Sequence, residues 1–98
     1  MIYTITLFEH IKCVNGIYSF GKCRSVGYYL TLSDAIKAVT ENRKNFRTDK
    51  FSYCIVEEVP EGIMEYTPNR YLFEWRNGKF EQIDEPIHIH PFTNFVNH

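Results

Sequence analysis

No run of this 98-residue sequence approaches the roughly eighteen consecutive apolar residues that a membrane-spanning helix needs. Its first residues, Met1 to Thr4, also lack the basic and apolar regions of a secretory signal. The formal net charge is only −1, so no general excess of basic residues draws the chain onto nucleic acid. These absences predict a cytoplasmic protein that binds neither a membrane nor DNA.

Cysteine and closely spaced glycine are also scarce. Cys13, Cys23 and Cys54 form an odd set, which favours a reducing compartment, with a Cys13–Cys23 disulfide between neighbouring strands as the alternative. The glycines lack the spacing that presents a row of N–H groups to phosphate at the start of a helix. Nucleotide hydrolysis on a phosphate-binding loop is therefore not expected.

The amino-acid composition is that of a globular protein. The hydrophobic fraction of 44% and charged fraction of 23% are ordinary, and the length suits a single domain over residues 1–98. The aromatic fraction of 16% is high, and aromatic side chains serve crowded small cores and binding surfaces equally well.

The residue pattern predicts a small α+β fold of order β-β-α-β-β-β, an antiparallel sheet of about five strands covered by one helix. Strands are predicted over residues 2–10 and 51–59, with residues 17–20 and 25–30 forming either one bulged strand or two short ones. Asn77-Gly78 between residues 70–76 and 79–83 predicts a tight hairpin.

A helix is predicted over residues 33–43, since apolar residues recur there at helical spacing. Thr31 or Ser33 can cap it, with Asp34 in its first turn. Pro86 and Pro91 predict that residues 84–98 form an extended C-terminal tail packed on the domain.

One helix covers one face of a sheet, so the other face needs a partner. Because the strands carry large aromatic residues on both sides, we expect a second copy of the chain to cover it. Tyr28 with Tyr29, or Phe73 with Trp75, are the residues expected at this contact.

No set of catalytic groups stands out. His88 and His90 could form half of a zinc site. The favoured interpretation is that both histidines face solvent and alternate with buried isoleucines. A Cys23–His10 pair is conceivable, although a free cysteine more often fills space in a core. Glu57 and Glu58 are strand neighbours that face opposite ways, so they cannot act as an acid–base pair.

Arginines adjoin aromatic residues in two parts of the chain: Arg24 accompanies Phe20 and Tyr28, and farther on Arg70 adjoins Tyr71 and Arg76 adjoins Trp75. Guanidinium groups bind phosphate and aromatic faces stack on bases, so these residues could hold a nucleotide. The alternative is that the hairpin arginines keep its edges soluble while Trp75 packs inward. Basic residues on and after the helix (Lys37, Arg43, Lys44 and Arg47) are interpreted as a solvated face.

Several short segments together resemble the first-described family of phage Thoeris anti-defence sponge proteins. They are residues 24–31, the helix with Ala35, Val39, Glu41 and Asn42, residues 53–63 and 73–75, Asp84-Glu85-Pro86, and Asn94-Phe95. The resemblance spans most of the chain. The residues after Asn94-Phe95 depart from the family's pattern of small residues, so a contribution of the tail to a pocket is doubtful.

The resemblance implies a bacteriophage protein that sequesters glycocyclic ADP-ribose in the infected cell's cytoplasm without degrading it, so it is neither an enzyme nor dependent on a cofactor. It implies a homo-oligomer, a dimer or an assembly of dimers such as a hexamer, with cyclic oligonucleotides as further ligands. Phosphate is assigned to Arg24 and Arg70, stacking to Tyr28 and Trp75, and a base or ribose edge to Asn94; the family's motifs match at all of these except Arg70. Two alternatives stay open: a protein-binding phage inhibitor, such as an anti-CRISPR, that uses the Asn77-Gly78 hairpin, and a small enzyme with His88 or His90 as base.

Overall fold

A computed structural model describes residues 1–15, 17–47, 50–62 and 69–83 of the chain. The elements in chain order are β1 (Ile2–Phe8), β2 (Lys12–Val14), β3 (Ile17–Ser19), β4 (Cys23–Tyr29), α1 (Leu32–Thr40), a 3-10 turn (Arg43–Asn45), β5 (Tyr53–Val59), β6 (Arg70–Arg76) and β7 (Lys79–Ile83). The predicted tail over residues 84–98, with His88, His90 and Asn94, lies outside the described residues.

Five of the strands form one antiparallel sheet in the order β4-β1-β5-β6-β7, with α1 against one face. The predicted α+β class is therefore confirmed. The extended segment after residue 16 is two short strands rather than one bulged strand, since β3 pairs with β2 in a separate ribbon and β4 joins the sheet. No helix in the described part of the chain is both long and apolar enough to cross a bilayer.

Local sequence accounts for both ends of α1. The Oγ1 atom of Thr31 accepts a hydrogen bond from the Asp34 N–H at 3.2 Å. Of the two predicted capping residues, Thr31 is therefore the one that caps the helix. The helix ends at Thr40, three residues before the predicted end, because Asn42 adopts the left-handed conformation with φ 48°. The chain there turns back toward the sheet instead of continuing the helix.

The predicted hairpin is confirmed residue for residue. Strands β6 and β7 have the expected bounds, and Asn77 and Gly78 both have positive φ, 53° and 83°. Two such residues suit the right-handed twist of the paired strands.

The main core lies between α1 and the sheet. Apolar side chains from four strands alternate onto this face and pack with Ala35, Ala38 and Val39 of the helix. Its buried strand residues are Ile5, Leu7, Cys54, Val56, Phe73 and Phe80. Burial raises the pKa of the Cys54 thiol far above its ordinary value, so this thiol stays protonated and acts as a small apolar side chain.

The opposite face carries a second apolar cluster, formed by Phe8, Ile55 and Leu72. Ile11 and Phe20, which flank the β2–β3 ribbon, pack against this cluster, so the chain itself covers part of the face. The expectation that Phe73 and Trp75 occupy this face is wrong, because both belong to the helix-side core. The same holds for Tyr29, which also packs on the helix side.

Thr6 on the second face is buried, and its hydroxyl has no hydrogen-bond partner in the described part of the chain. Burying an unpaired hydroxyl is unfavourable, so Thr6→Val should raise the free energy of unfolding by about 1 kcal/mol. Thr4→Val is the matched control, because the Thr4 hydroxyl donates to the Glu57 carbonyl oxygen at 3.4 Å. Urea unfolding of both variants checks this, and a stability loss for Thr6→Val equal to that of Thr4→Val contradicts it.

A basic pocket beside strand β4

A surface pocket of about 400 Å³ lies between β4 and the chain that follows α1. We call it the basic pocket. Its described lining consists of Ile5, Arg24, Ser25, Val26, Gly27, Tyr28, Tyr29, Ala38, Arg43, Lys44 and Phe46. Its volume falls within the usual range for small-molecule sites, which is roughly 300–1,000 Å³.

A β-bulge decides which residues of β4 face this pocket. The register between β1 and β4 shifts between Ile5 and Thr6, so Gly27 pairs with Ile5 whereas Ser25 pairs with Thr6 and Val26 is the extra residue. Arg24, opposite Leu7, and Tyr29, opposite Tyr3, consequently share the helix side of the sheet. In an unbulged strand two residues five apart would face opposite sides.

The opposite wall comes from a loop with unusual backbone conformations. Asn42, Lys44 and Asn45 all have positive φ, between 48° and 58°, and the loop is braced by a 3.1 Å hydrogen bond from the Arg47 N–H to Asn42 Oδ1. Left-handed residues turn the chain sharply at a cost in conformational energy. Here they bring the side chains of Arg43 and Lys44 to the pocket.

Arg43 is held in position by two neighbours. Its Nη1 donates to the Tyr29 hydroxyl at 3.2 Å while its guanidinium lies 5.5 Å from the centre of the Tyr29 ring, and its Nη2 lies 3.5 Å from Glu41 Oε1. The hydrogen bond to Tyr29 is the main cause that raises the pKa of Arg43 above its ordinary value, and an arginine is charged at physiological pH even without this shift. One wall of the pocket thus presents a fixed cation.

The pocket combines positive charge with apolar surface. Arg24, Arg43 and Lys44 all line it, and its described lining includes no carboxylate. Phe46 supplies an apolar wall and stacks on Phe80, with ring centres 5.8 Å apart and planes 16° apart, so its orientation is set by the core. These surfaces suit an anion that carries a flat apolar group.

The structure brings two of the five predicted ligand residues to this pocket, Arg24 and Tyr28. Tyr28 lies at its border, since its register partner Thr4 belongs to the other face and its side chain is 60% exposed. Arg70 also belongs to the other face, directly across from the buried Glu57. The prediction for Asn94 lies outside the described residues.

Trp75 is a core residue rather than a pocket residue. Its ring packs edge-on against Phe80, with centres 5.0 Å apart, and the Arg47 guanidinium covers it at 4.3 Å. Trp75 is on β6, three strands from β4, which is about 14 Å at the usual strand spacing. The interpretation of Trp75 as packing inward is therefore confirmed, and a shared contact of Trp75 and Arg24 with one small ligand in this pocket is not supported.

The sequence interpretation missed Arg43, Lys44, Tyr29 and Phe46 as pocket residues. Arg43 and Lys44 were expected on a solvated face, yet both line the pocket. A signal was present in Asn42-Arg43-Lys44-Asn45, because asparagine tolerates the left-handed conformation and two asparagines around basic residues favour a sharp turn.

Within the described residues, the other candidate groups do not assemble into a recognised site. His10 Nε2 lies 3.3 Å from the Ser19 hydroxyl rather than pairing with Cys23, and Cys23 is an exposed free thiol. Glu57 is buried and the adjacent Glu58 half-exposed, consistent with opposite faces. Across the described residues, no group of three or more His, Cys, Asp and Glu side chains is placed to hold a metal ion.

Comparisons with known proteins returned no matching family model, no similar curated protein and no similar solved structure.

Proposed function

We propose that this protein sequesters a cyclic nucleotide signal of the glycocyclic ADP-ribose type in the basic pocket, in the cytoplasm of a phage-infected bacterium, and thereby blocks Thoeris-type antiviral signalling. The observation that carries the proposal is the convergence of Arg24, Arg43 and Lys44 on one pocket. The resemblance to the anti-defence sponge proteins, which includes Arg24, supplies the biological setting.

The charge of the pocket supports an anionic ligand. Three basic side chains meet in a protein whose formal net charge is −1, so the positive potential there is local and not a property of the whole surface. A diphosphate can accept charge-assisted hydrogen bonds from Arg24 and Arg43, while Lys44 adds a compact charge. The aromatic and apolar lining can bury the base and ribose rings.

Sequestration without degradation is part of the proposal. The described lining offers no carboxylate, imidazole or thiol, and Tyr28, Tyr29 and Lys44 are its groups that can transfer a proton. A protein that sequesters its ligand must also release the ligand slowly. The pocket lies at the edge of the sheet formed by β4. A second copy seated at that edge in a homo-oligomer would close the pocket over its ligand.

The test is uptake followed by recovery of the ligand. The protein is mixed with cyclic ADP-ribose or its glycocyclic isomer, freed of unbound ligand by gel filtration, and denatured, and the released material is analysed by mass spectrometry. We expect intact ligand in stoichiometric amount. Fragments would identify an enzyme, and absence of uptake would refute the proposal.

The protein-binding alternative has weaker support. It relies on exposed aromatic residues in the β6–β7 hairpin, but Phe73 and Phe80 are buried and Trp75 is covered by Arg47. What the hairpin presents to solvent is its polar tip over residues 76–79.

A further inference from the structure

Gly27 stands out among the residues of β4, since a glycine weakens the interior of a strand unless the backbone or a ligand requires it. A Cβ atom built at Gly27 would meet nothing within 4 Å, although Gly27 lines the basic pocket. Gly21 is different, because there a Cβ atom would lie 2.8 Å from Glu9 Oε1 and His10 Cε1. A side chain at Gly21 would require Glu9 and His10 to move, whereas the space above Gly27 is open.

Gly27 lies on the side of the sheet that faces the pocket. Gly27 and Val26 are the two bulge residues opposite Ile5, so both lie on the helix side of the sheet. Ala38 and Phe46 line the same pocket and add apolar surface to that of Val26. The missing side chain therefore leaves bare backbone exposed in the pocket, on the same side of the sheet as Val26.

From this arrangement we infer that Gly27 forms the floor on which the flat base of the ligand lies, with the phosphates directed to Arg24, Arg43 and Lys44. The inference rests on the proposed function and adds the position of the base and a specificity-determining residue. Glycine permits this close approach because it has no Cβ atom. A ligand without a planar ring would leave this floor unused.

Backbone conformation offers a competing explanation, since Gly27 has φ +154°. Gly78 is the matched control: it also has positive φ, +83°, and open space at its Cβ position, but it lies in the β6–β7 turn and does not line the pocket. An alanine at Gly78 is also strained by its positive φ, but it does not meet the ligand.

Calorimetric titration with cyclic ADP-ribose on Gly27→Ala and Gly78→Ala provides the test. We expect Gly27→Ala to weaken binding about tenfold or more, because its methyl group occupies the place of the base. Gly78→Ala should bind like the unchanged chain. Equal affinities for the two variants would overturn the inference.

A second measurement, on the unchanged chain, tests whether the base lies on Gly27 even if Gly27→Ala fails to fold. A base stacked on Gly27 shields its amide proton, so the Gly27 amide resonance should move upfield on addition of cyclic ADP-ribose while that of Gly78 stays in place. An unmoved Gly27 resonance in a chain that binds the nucleotide overturns this inference and leaves the proposed function standing. Failure of the unchanged chain to bind overturns both.

Discussion

Replacing two arginines together, Arg24→Ala with Arg43→Ala, is expected to lower the affinity for cyclic ADP-ribose by about 10²- to 10⁴-fold. Each arginine can donate a charge-assisted hydrogen bond to phosphate, worth about 1.5–3 kcal/mol, and about 1.4 kcal/mol corresponds to a factor of ten. The two residues lie on opposite walls of the basic pocket, so their loss removes charge from both sides of the ligand.

The control for this double variant is Lys37→Ala with Lys79→Ala. Both lysines are exposed, neither lines the pocket, and the change in net charge is the same. If the arginines acted only through long-range attraction, both double variants would lose affinity to a similar extent, and the loss would be small at physiological ionic strength. Calorimetric titration separates the cases, and equal affinities for the two variants would refute the assignment of the phosphates to Arg24 and Arg43.

Arg43→Ala also removes a hydrogen bond to Tyr29 and the ion pair with Glu41. Both are made by a side chain that is partly exposed to solvent, where such contacts contribute little to stability. The double variant should therefore remain folded, which circular dichroism can establish before binding is measured.

Trp75→Ala should have the largest effect on stability, a loss of about 3 kcal/mol in the free energy of unfolding. The substitution removes the edge-on contact with Phe80 and the partner of the Arg47 guanidinium. Trp75 is half-buried, so the loss should fall at the low end of the range for removing a core tryptophan. Such a loss is a large part of the stability of a domain of this size.

The informative comparison is between the stability and the affinity of Trp75→Ala. Trp75 lies three strands from β4 and does not line the pocket, although Phe80 and Arg47 link it to the loop that carries Phe46. The fraction of the variant that remains folded should therefore bind cyclic ADP-ribose far more tightly than Arg24→Ala with Arg43→Ala does. Trp75→Phe is the control that retains an aromatic ring and should recover most of the stability. Urea unfolding and titration below the unfolding range check both expectations. Unchanged stability together with lost binding would show that Trp75 contacts the ligand and would contradict its assignment to the core.

Local chemistry was readable from the sequence where neighbouring residues decide the structure. Thr31 and Asp34 identified the start of α1, and Asn77-Gly78 identified the hairpin, because capping and positive φ are preferences of single residues. The α+β class followed from the same local patterns. Arg24 was likewise identified as a candidate for an anion site, and the structure places it in the basic pocket.

Which residues meet in the pocket depended on contacts that no local pattern encodes. Arg24 and Tyr28 are close in sequence and were both expected at the ligand, but the bulge at Val26 puts Tyr29 on the side of Arg24 and leaves Tyr28 at the border of the pocket. The register shift involves β1, which lies about twenty residues earlier in the chain.

Tertiary structure likewise decided the roles of Trp75, Arg43 and Lys44. An aromatic residue beside arginines suits a core and a ligand site equally. Trp75 is identified as a core residue only by its tertiary contacts, with Phe80 of β7 and with Arg47 of the loop after α1. The two basic residues reach β4 because left-handed residues turn the loop back over the sheet. The sequence by itself determined the elements and the kinds of side chain available. The sheet order, the bulge and the loop decided which side chains share a pocket, since that depends on contacts between distant segments.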